Sequence, residues 1–299
     1  MEITMLKNYK RYGQYYLLLL PAFILLIIFS YYPSFSGLIY AFTNWDAATA
    51  SWVGLDNFKK ILNDRILKES VSNMLILIGA GLVIGNVPQI FLAELLFNLK
   101  NRRLSERYRF LFTLTSLVPM VVIMLIWTQL VLNPSPEGLM NSILLKLGGD
   151  AKGWFGDPQM ALFSMILVGF PWVGGINFLI YLAGLQGIPE SVLDASKIDG
   201  CGTMRRILFI DFPLIRSQLK FFIIMGIIMG IQGFGFQLLI TDGGPGTSTM
   251  VPGMWMYKNA FKYVKFGYAS SIGLVMFVSI LIVTLLNLKF IKSTEEEVG

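Results

Sequence analysis

The chain has no histidine and one cysteine among 299 residues, and only 14% of its residues are charged. The missing histidine removes histidine-ligated zinc, imidazole acid–base catalysis and serine–histidine nucleophile activation together. Cys201 alone has no partner for an internal disulfide or a cysteine cluster. No GxxxxGK[ST] phosphate loop occurs, so the usual P-loop mode of ATP binding is excluded. Charge is scarce too: soluble domains carry about a quarter charged residues. With 55% hydrophobic residues and a mean hydropathy of +0.65, the composition is that of an integral membrane protein. The formal charge of +6 belongs to basic loops beside a membrane. No basic run is interleaved with aromatics in the manner of a nucleic-acid surface.

Six apolar stretches, 15–42, 72–99, 109–132, 160–185, 218–240 and 268–291, reach the roughly 20 residues that a helix needs to cross a bilayer. The first follows Lys7, Lys10 and Arg11, as a signal peptide would. It then runs past Tyr31-Tyr32-Pro33 to Phe42 without a small-residue cleavage site, and reads as an anchor. Lysine and arginine placement sets the orientation. Fifteen lie on one side: Lys7, Lys10 and Arg11; the five from Lys100 to Arg109; Lys197, Arg205, Arg206, Arg216 and Lys220; and Lys289 and Lys292. Nine lie on the other, in 43–71, 133–159 and 241–267. The bias places both termini and the 186–217 loop in the cytoplasm. The outer loops hold Trp45, Trp52, Trp154, Trp255 and Gly243-Gly244-Pro245-Gly246. They read either as interfacial aromatic belts and turns or as a surface that receives something delivered from outside.

The 186–217 loop has more local structure than a membrane turn requires. Pro189 suits a helix start, Glu190 sits where the helix dipole favours an anion, and Gly200 suits the position past the end, which predicts a helix over roughly 189–199. On a wheel, Val192, Ala195 and Ser196 form a face of small side chains, with Glu190, Asp194 and Lys197 opposite. Thr203 is expected to cap a second short helix through Arg205, Arg206, Ile207 and Ile210, ended by Pro213. The apolar face is too weak for firm lipid binding, so a docking element fits better than an interfacial helix.

These residues carry a resemblance. Asp194-Ala195-Ser196, Gly200 and Ile210-Asp211-Phe212-Pro213 follow the pattern E-A-A, three residues, G, nine residues, I-x-L-P of the membrane subunits of binding-protein-dependent ABC importers. Asp for Glu, Ser for the second Ala and Phe for Leu are departures; both spacings hold. The longer wording from Ile188-Pro189-Glu190 to Ile198-Asp199-Gly200 is similar to the sugar-importer branch. Tyr32-Pro33, Trp52 to Phe58, Trp127, Gly138-Leu139-Met140-Asn141, Thr241 to Pro245 and Gly267 to Ser270 resemble the maltose-type permeases, in order along nearly the whole chain.

The resemblance implies an all-α membrane protein with six transmembrane helices of the type I ABC importer permease type and a cytoplasmic coupling helix. Its parts would be an N-terminal segment 1–14, a permease body 15–291 with coupling loop 186–217, and a tail 292–299. It also implies partners: a second homologous permease, two ATP-binding subunits that bind ATP and Mg, and an extracytoplasmic solute-binding protein that delivers a sugar. This chain would itself hold no cofactor. Glu190, Asp194, Ala195, Ser196, Lys197, Asp199 and Gly200 are the candidate coupling residues.

For the substrate path, Gln232, Phe234, Phe236 and Gln237 in the fifth stretch and Asn177 in the fourth combine amides and aromatics at membrane depth. They suit either sugar contact or helix packing. Glu94, the acidic residue inside a span, reads as a snorkelling or arginine-paired group, or as a proton relay. The rival functions are an ion-gradient-driven secondary transporter and an ABC permease for a non-sugar solute. The first would want several titratable groups at midplane and leaves the 186–217 loop without a purpose.

Overall fold

Proline and glycine decide where the apolar stretches remain helical. The computed structural model describes residues 15–290, with side chains through Asn287. The segment 1–14 and the tail 292–299, with Lys7, Lys10, Arg11 and Lys292, lie outside the described residues, as does the side chain of Lys289. Among the described residues every element is helical except one isolated bridge, Thr43 to Trp52.

Among the described residues three helices are long and apolar enough to cross a membrane: α1 (Tyr15–Tyr40), α3 (Arg65–Phe97) and α13 (Phe266–Phe290). A short helix, α2 (Asp56–Asn63), precedes α3. Two bent pairs reach the same length and apolarity together. They are α4 (Arg102–Leu117) with α5 (Met120–Val131), bent by 86°, and α10 (Thr203–Leu214) with α11 (Arg216–Gln232), bent by 64°. That makes three to five spans by length and composition, where six were expected.

The differences have local causes. The expected 109–132 helix is broken because Val118 precedes Pro119 and takes an extended conformation, φ −75° and ψ 120°. The 160–185 stretch is not one helix. It is α7 (Ala161–Leu167) and α8 (Asn177–Gln186), separated by a segment with Pro171 and with Gly169, Gly174 and Gly175 at positive φ. The 218–240 stretch stops at Gln232 and resumes as α12 (Gly235–Ile240), with Gly233 extended between them. Proline also widens helices without ending them. A π-helical turn, Ile27–Tyr31, comes just before Pro33, and another, Ile207–Asp211, just before Pro213. A wider turn moves the carbonyl that a proline ring would otherwise strike.

The chain divides into two compact units. One comprises the described residues up to Asn63 with Met256–Val275. Here the residues after α1 fold back on themselves. Asn57, 2% exposed, donates from Nδ2 to the carbonyls of Ala41 (3.1 Å) and Thr43 (2.7 Å). The amides of Val53 and Gly54 donate to Phe42 O, and the Phe42 ring stacks on Trp52 at 5.5 Å. Trp45 stacks on Tyr40 at 4.2 Å and packs against Phe266.

The other unit comprises Asp64–Trp255 with the described residues from Met276 onward. Its core joins α3 to α8: Leu92, Ala93 and Leu96 pack with Phe178, Tyr181, Leu182 and Leu185, and with Ile188 and Ile215. Helix α11 lies close beside α3, because a Cβ at Gly226 or Gly230 would run into Leu82 or Ile78. A second cluster, Met250, Val251 and Met254, sits against Ile66, Met74 and Leu77 of α3. Asn73 Nδ2 holds the same turn by donating to Thr247 O (2.9 Å) and Met250 O (3.0 Å). Within the loop after α5, Asn141 at the start of α6 (Leu139–Lys146) is fully buried. It donates to Pro134 O and Lys152 O, and its Oδ1 accepts from Trp154 Nε1 at 3.0 Å.

Three of the four tryptophans in the segments 43–71, 133–159 and 241–267 make contacts within the fold. Trp154 is buried, Trp45 is stacked, and Trp255 Nε1 donates to Asp64 Oδ2 at 2.7 Å. They fasten loops from within. Trp52, 69% exposed, remains available on the surface.

Asn57→Ala leaves two carbonyls unpaired in a buried position, which costs about 1–3 kcal/mol. A lowered apparent melting temperature of the detergent-purified protein is expected. An unchanged value would show that the loop does not depend on this side chain.

Candidate functional site

The loop after α8 is built around α9 (Glu190–Ile198), which matches the expected 189–199 to within a residue at each end. Pro189 is its N-cap, and Glu190 lies in its first turn. The end is a Schellman motif. Gly200 sits at φ +67°, its amide donates to Lys197 O at 3.1 Å, and the Cys201 amide donates to Ser196 O at 2.9 Å. A left-handed backbone at Gly200 admits other residues only with strain.

The helix is pinned on one side and open on the other. Val192 and Leu193 pack against the α3–α8 core. Ser196 is 4% exposed, and its hydroxyl donates to Leu193 O at 2.7 Å. The expected small-residue face of Val192, Ala195 and Ser196 is therefore corrected. Val192, Leu193 and Ser196 turn inward, while Ala195, 60° round the helix from Val192, stays exposed because the core packs against the Leu193 side. Ser196 is thus not presented to a partner. Outward lie Glu190, Ser191, Asp194, Ala195, Lys197, Ile198, Asp199 and Gly200. Asp194 and Lys197 pair at 2.9 Å, an exposed contact that orients more than it stabilises. Ile198, 86% exposed, was missed in the sequence. Its spacing of three from Ala195 and seven from Ser191 on the helix was the available signal.

Thr203 does not cap the next helix: Gly202 is the N-cap, and no side-chain cap bond forms. Pro213 does not end that helix either. It runs through the π turn to Leu214 and bends before Arg216. The turn carries a buried ion pair that was not foreseen. Arg206 Nε lies 2.9 Å from Asp211 Oδ2, with side chains 16% and 0% exposed. Arg206 Nη2 also donates to Asn98 Oδ1, and the guanidinium lies 5.6 Å from the centre of the Phe97 ring. Glu94 does not pair directly with an arginine. Its carboxylate accepts from Asn98 Nδ2 at 3.1 Å.

The pathway candidates separate. A cavity of about 450 Å³ opens at the break between α11 and α12, lined by Phe234, Phe236 and Gln237 of the expected set. Met74, Leu77 and Ile78 of α3 and Met120, Val121 and Met124 of α5 complete most of its wall. Its walls are almost wholly apolar, and Gln237, 8% exposed, is the polar side chain among them. Gln232 and Asn177 are not in the lining: Gln232 points to the exposed surface, and Asn177 starts α8. The methionines were invisible as a group because they come from helices that only the tertiary fold brings together.

The sequence profile described as the binding-protein-dependent transport system inner membrane component matches residues 78–295. The chain is 31% identical over 280 residues to the probable ABC transporter permease protein YesP of Bacillus subtilis, covering 92% of this chain and 89% of that protein. It is 29% identical to the arabinooligosaccharides transport system permease protein AraP of Bacillus subtilis, covering 97% of this chain and 92% of that protein. In fold it is similar to a chain in the crystal structure of a bacterial ABC transporter involved in the import of the acidic polysaccharide alginate. The TM-score is 0.82 at 22% identity, over 97% of this chain and 100% of that one. A half-pinned loop helix, apolar spans broken at Pro and Gly, and a match across most of the length lead to one family. The chain is a multi-pass membrane protein that belongs to the binding-protein-dependent transport system inner membrane component family of ABC importer permeases.

Proposed function

We propose that this chain is one of two permease subunits of an ATP-driven sugar importer, and that its substrate is an oligosaccharide. The relative AraP, an arabinooligosaccharide permease similar over nearly the full length, supports the sugar class. The chain crosses the membrane six times in this reading, with α7 and α8 forming one broken crossing. Both termini and the α9 loop are cytoplasmic, as the lysine and arginine bias favours. Two ATP-binding subunits bind ATP with Mg and hydrolyse it, and this chain contributes no catalytic residue. A solute-binding protein delivers the sugar from outside. An ion-gradient mechanism has no support from the family.

The observation that carries the reading is the two-sided environment of α9. Val192, Leu193 and Ser196 fix it to the body, while Glu190, Ser191, Asp194, Ala195 and Ile198 stand clear. A helix exposed in this way, with an apolar Ile198 beside a small Ala195, suits a groove on a soluble ATPase. Closure of the ATPases would move it, and the two permeases would alternate between inward and outward openings. The α11–α12 cavity then lies on the sugar route, with Phe234 and Phe236 as stacking faces and Gln237 as the hydrogen-bonding group.

Uptake into membrane vesicles tests the reading as a whole. It should require ATP and the co-purifying ATPase, and should persist when the proton gradient is collapsed. Gly200→Val should remove transport while the protein remains inserted. The β-branched residue disturbs the left-handed turn by about 1–2 kcal/mol, and its Cβ would meet no atom within 4 Å. Wild-type transport by this variant would refute the docking role. Gln237→Ala should reduce uptake about tenfold or more, while Gln232→Ala, outside the cavity lining, should change it little. Equal effects of the two would take the cavity off the route.

A further inference from the structure

A docking helix is useful only if its displacement reaches a membrane span. Helix α9 is followed by Gly200 and Gly202, with open space around both, so the chain itself is a poor strut there. A stiffer connection lies a few residues on. Arg206 holds Asp211 within the loop by Nε and reaches Asn98 Oδ1 by Nη2. Its guanidinium also covers Phe97, the last residue of α3. Asn98 in turn donates from Nδ2 to Glu94 O at 2.8 Å and to Glu94 Oε2 at 3.1 Å, one turn back in α3. One planar fork therefore ties the loop to the final turn of α3, across 108 positions of sequence.

The cluster is poorly suited to a purely stabilising role. Glu94 Oε1 and Asp211 Oδ1 are buried without a hydrogen-bond partner, and such groups cost stability. A buried ion pair is also weak as a net stabiliser against an apolar replacement, and its best-attested use is to fix register. Arginine meets that need through the geometry of its fork, which lysine lacks.

We infer that the Arg206–Asp211 pair, bridged by Asn98 to Glu94, is the joint that makes the end of α3 move as one piece with the docking loop. The inference rests on the reading of α9 as the ATPase-docking helix. Arg206, Asp211 and Asn98 are then positioning residues for coupling. Through them the displacement enters the 33-residue helix α3, which also supplies Met74, Leu77 and Ile78 to the cavity wall.

The test uses the complete transporter in lipid nanodiscs, with Cys201→Ser and spin labels on Met204→Cys and Val83→Cys, both exposed. The label-to-label distance is measured without nucleotide and with ATP plus orthovanadate. With the joint intact, one narrow distribution should be the same in both states. Asn98→Ala should broaden the distribution or shift it by several ångströms under ATP–vanadate, while the complex still assembles and hydrolyses ATP. Asn98 is exposed and uncharged, so this change leaves the Arg206–Asp211 pair whole while it removes both the bridge from Arg206 and the hydrogen bond to Glu94 Oε2. Arg206→Lys should loosen the distance in the same way. An intact joint whose distance shifts with nucleotide, or variants that match it, would overturn the inference. A chain that never co-purifies with an ATPase would instead overturn the docking reading, and the joint with it.

Discussion

A helix broken inside an apolar layer must have its freed backbone groups satisfied from elsewhere, because no water is there to do it. This constraint accounts for several of the amide side chains in the larger unit. The segment between α7 and α8 is non-helical. Gln89 of α3 donates to Trp172 O at 2.6 Å, Trp172 Nε1 to Val168 O, and the Gly175 amide to Phe112 O and Thr115 Oγ1. Asn73, also on α3, does the same for the turn at Thr247 and Met250. Amides inside the apolar helix α3 thus act as clamps for irregular chain elsewhere in the unit.

Helix α3 is the scaffold of this unit. Its last third packs on α8, its middle approaches α11 at two glycines, its first turns hold the second cluster, and its C-terminal end meets the α9–α10 loop. The cavity wall and the core on which α9 packs both draw on it. Asn86, whose Oδ1 accepts from the buried Tyr181 hydroxyl, adds a polar lock to the α3–α8 contact. A hydrogen bond of this kind fixes helix register where apolar packing alone discriminates poorly.

Strong local chemistry was legible in the sequence. Pro189, Glu190 and Gly200 marked the ends of α9 to within a residue, because caps act through neighbouring backbone groups. The same reasoning failed at Thr203 and Pro213, where tertiary contacts and a π turn override the local preference. Apolar length marks where the chain is hydrophobic, but length is blind to how a proline or a glycine pair is accommodated. The stretches 109–132, 160–185 and 218–240 therefore read as continuous helices and are not.

By itself the sequence determined that this is a helical membrane protein and where the helix of its most structured loop begins and ends. Those conclusions rest on composition and on motifs read within a dozen residues. Only the tertiary structure decided which face of α9 is free, which of the pathway candidates share a cavity, and that Arg206, Asp211, Asn98 and Glu94 meet. Each of those depends on contacts between residues far apart in the chain. Helical periodicity says which side chains share a face, but the direction of that face is set by what packs against it.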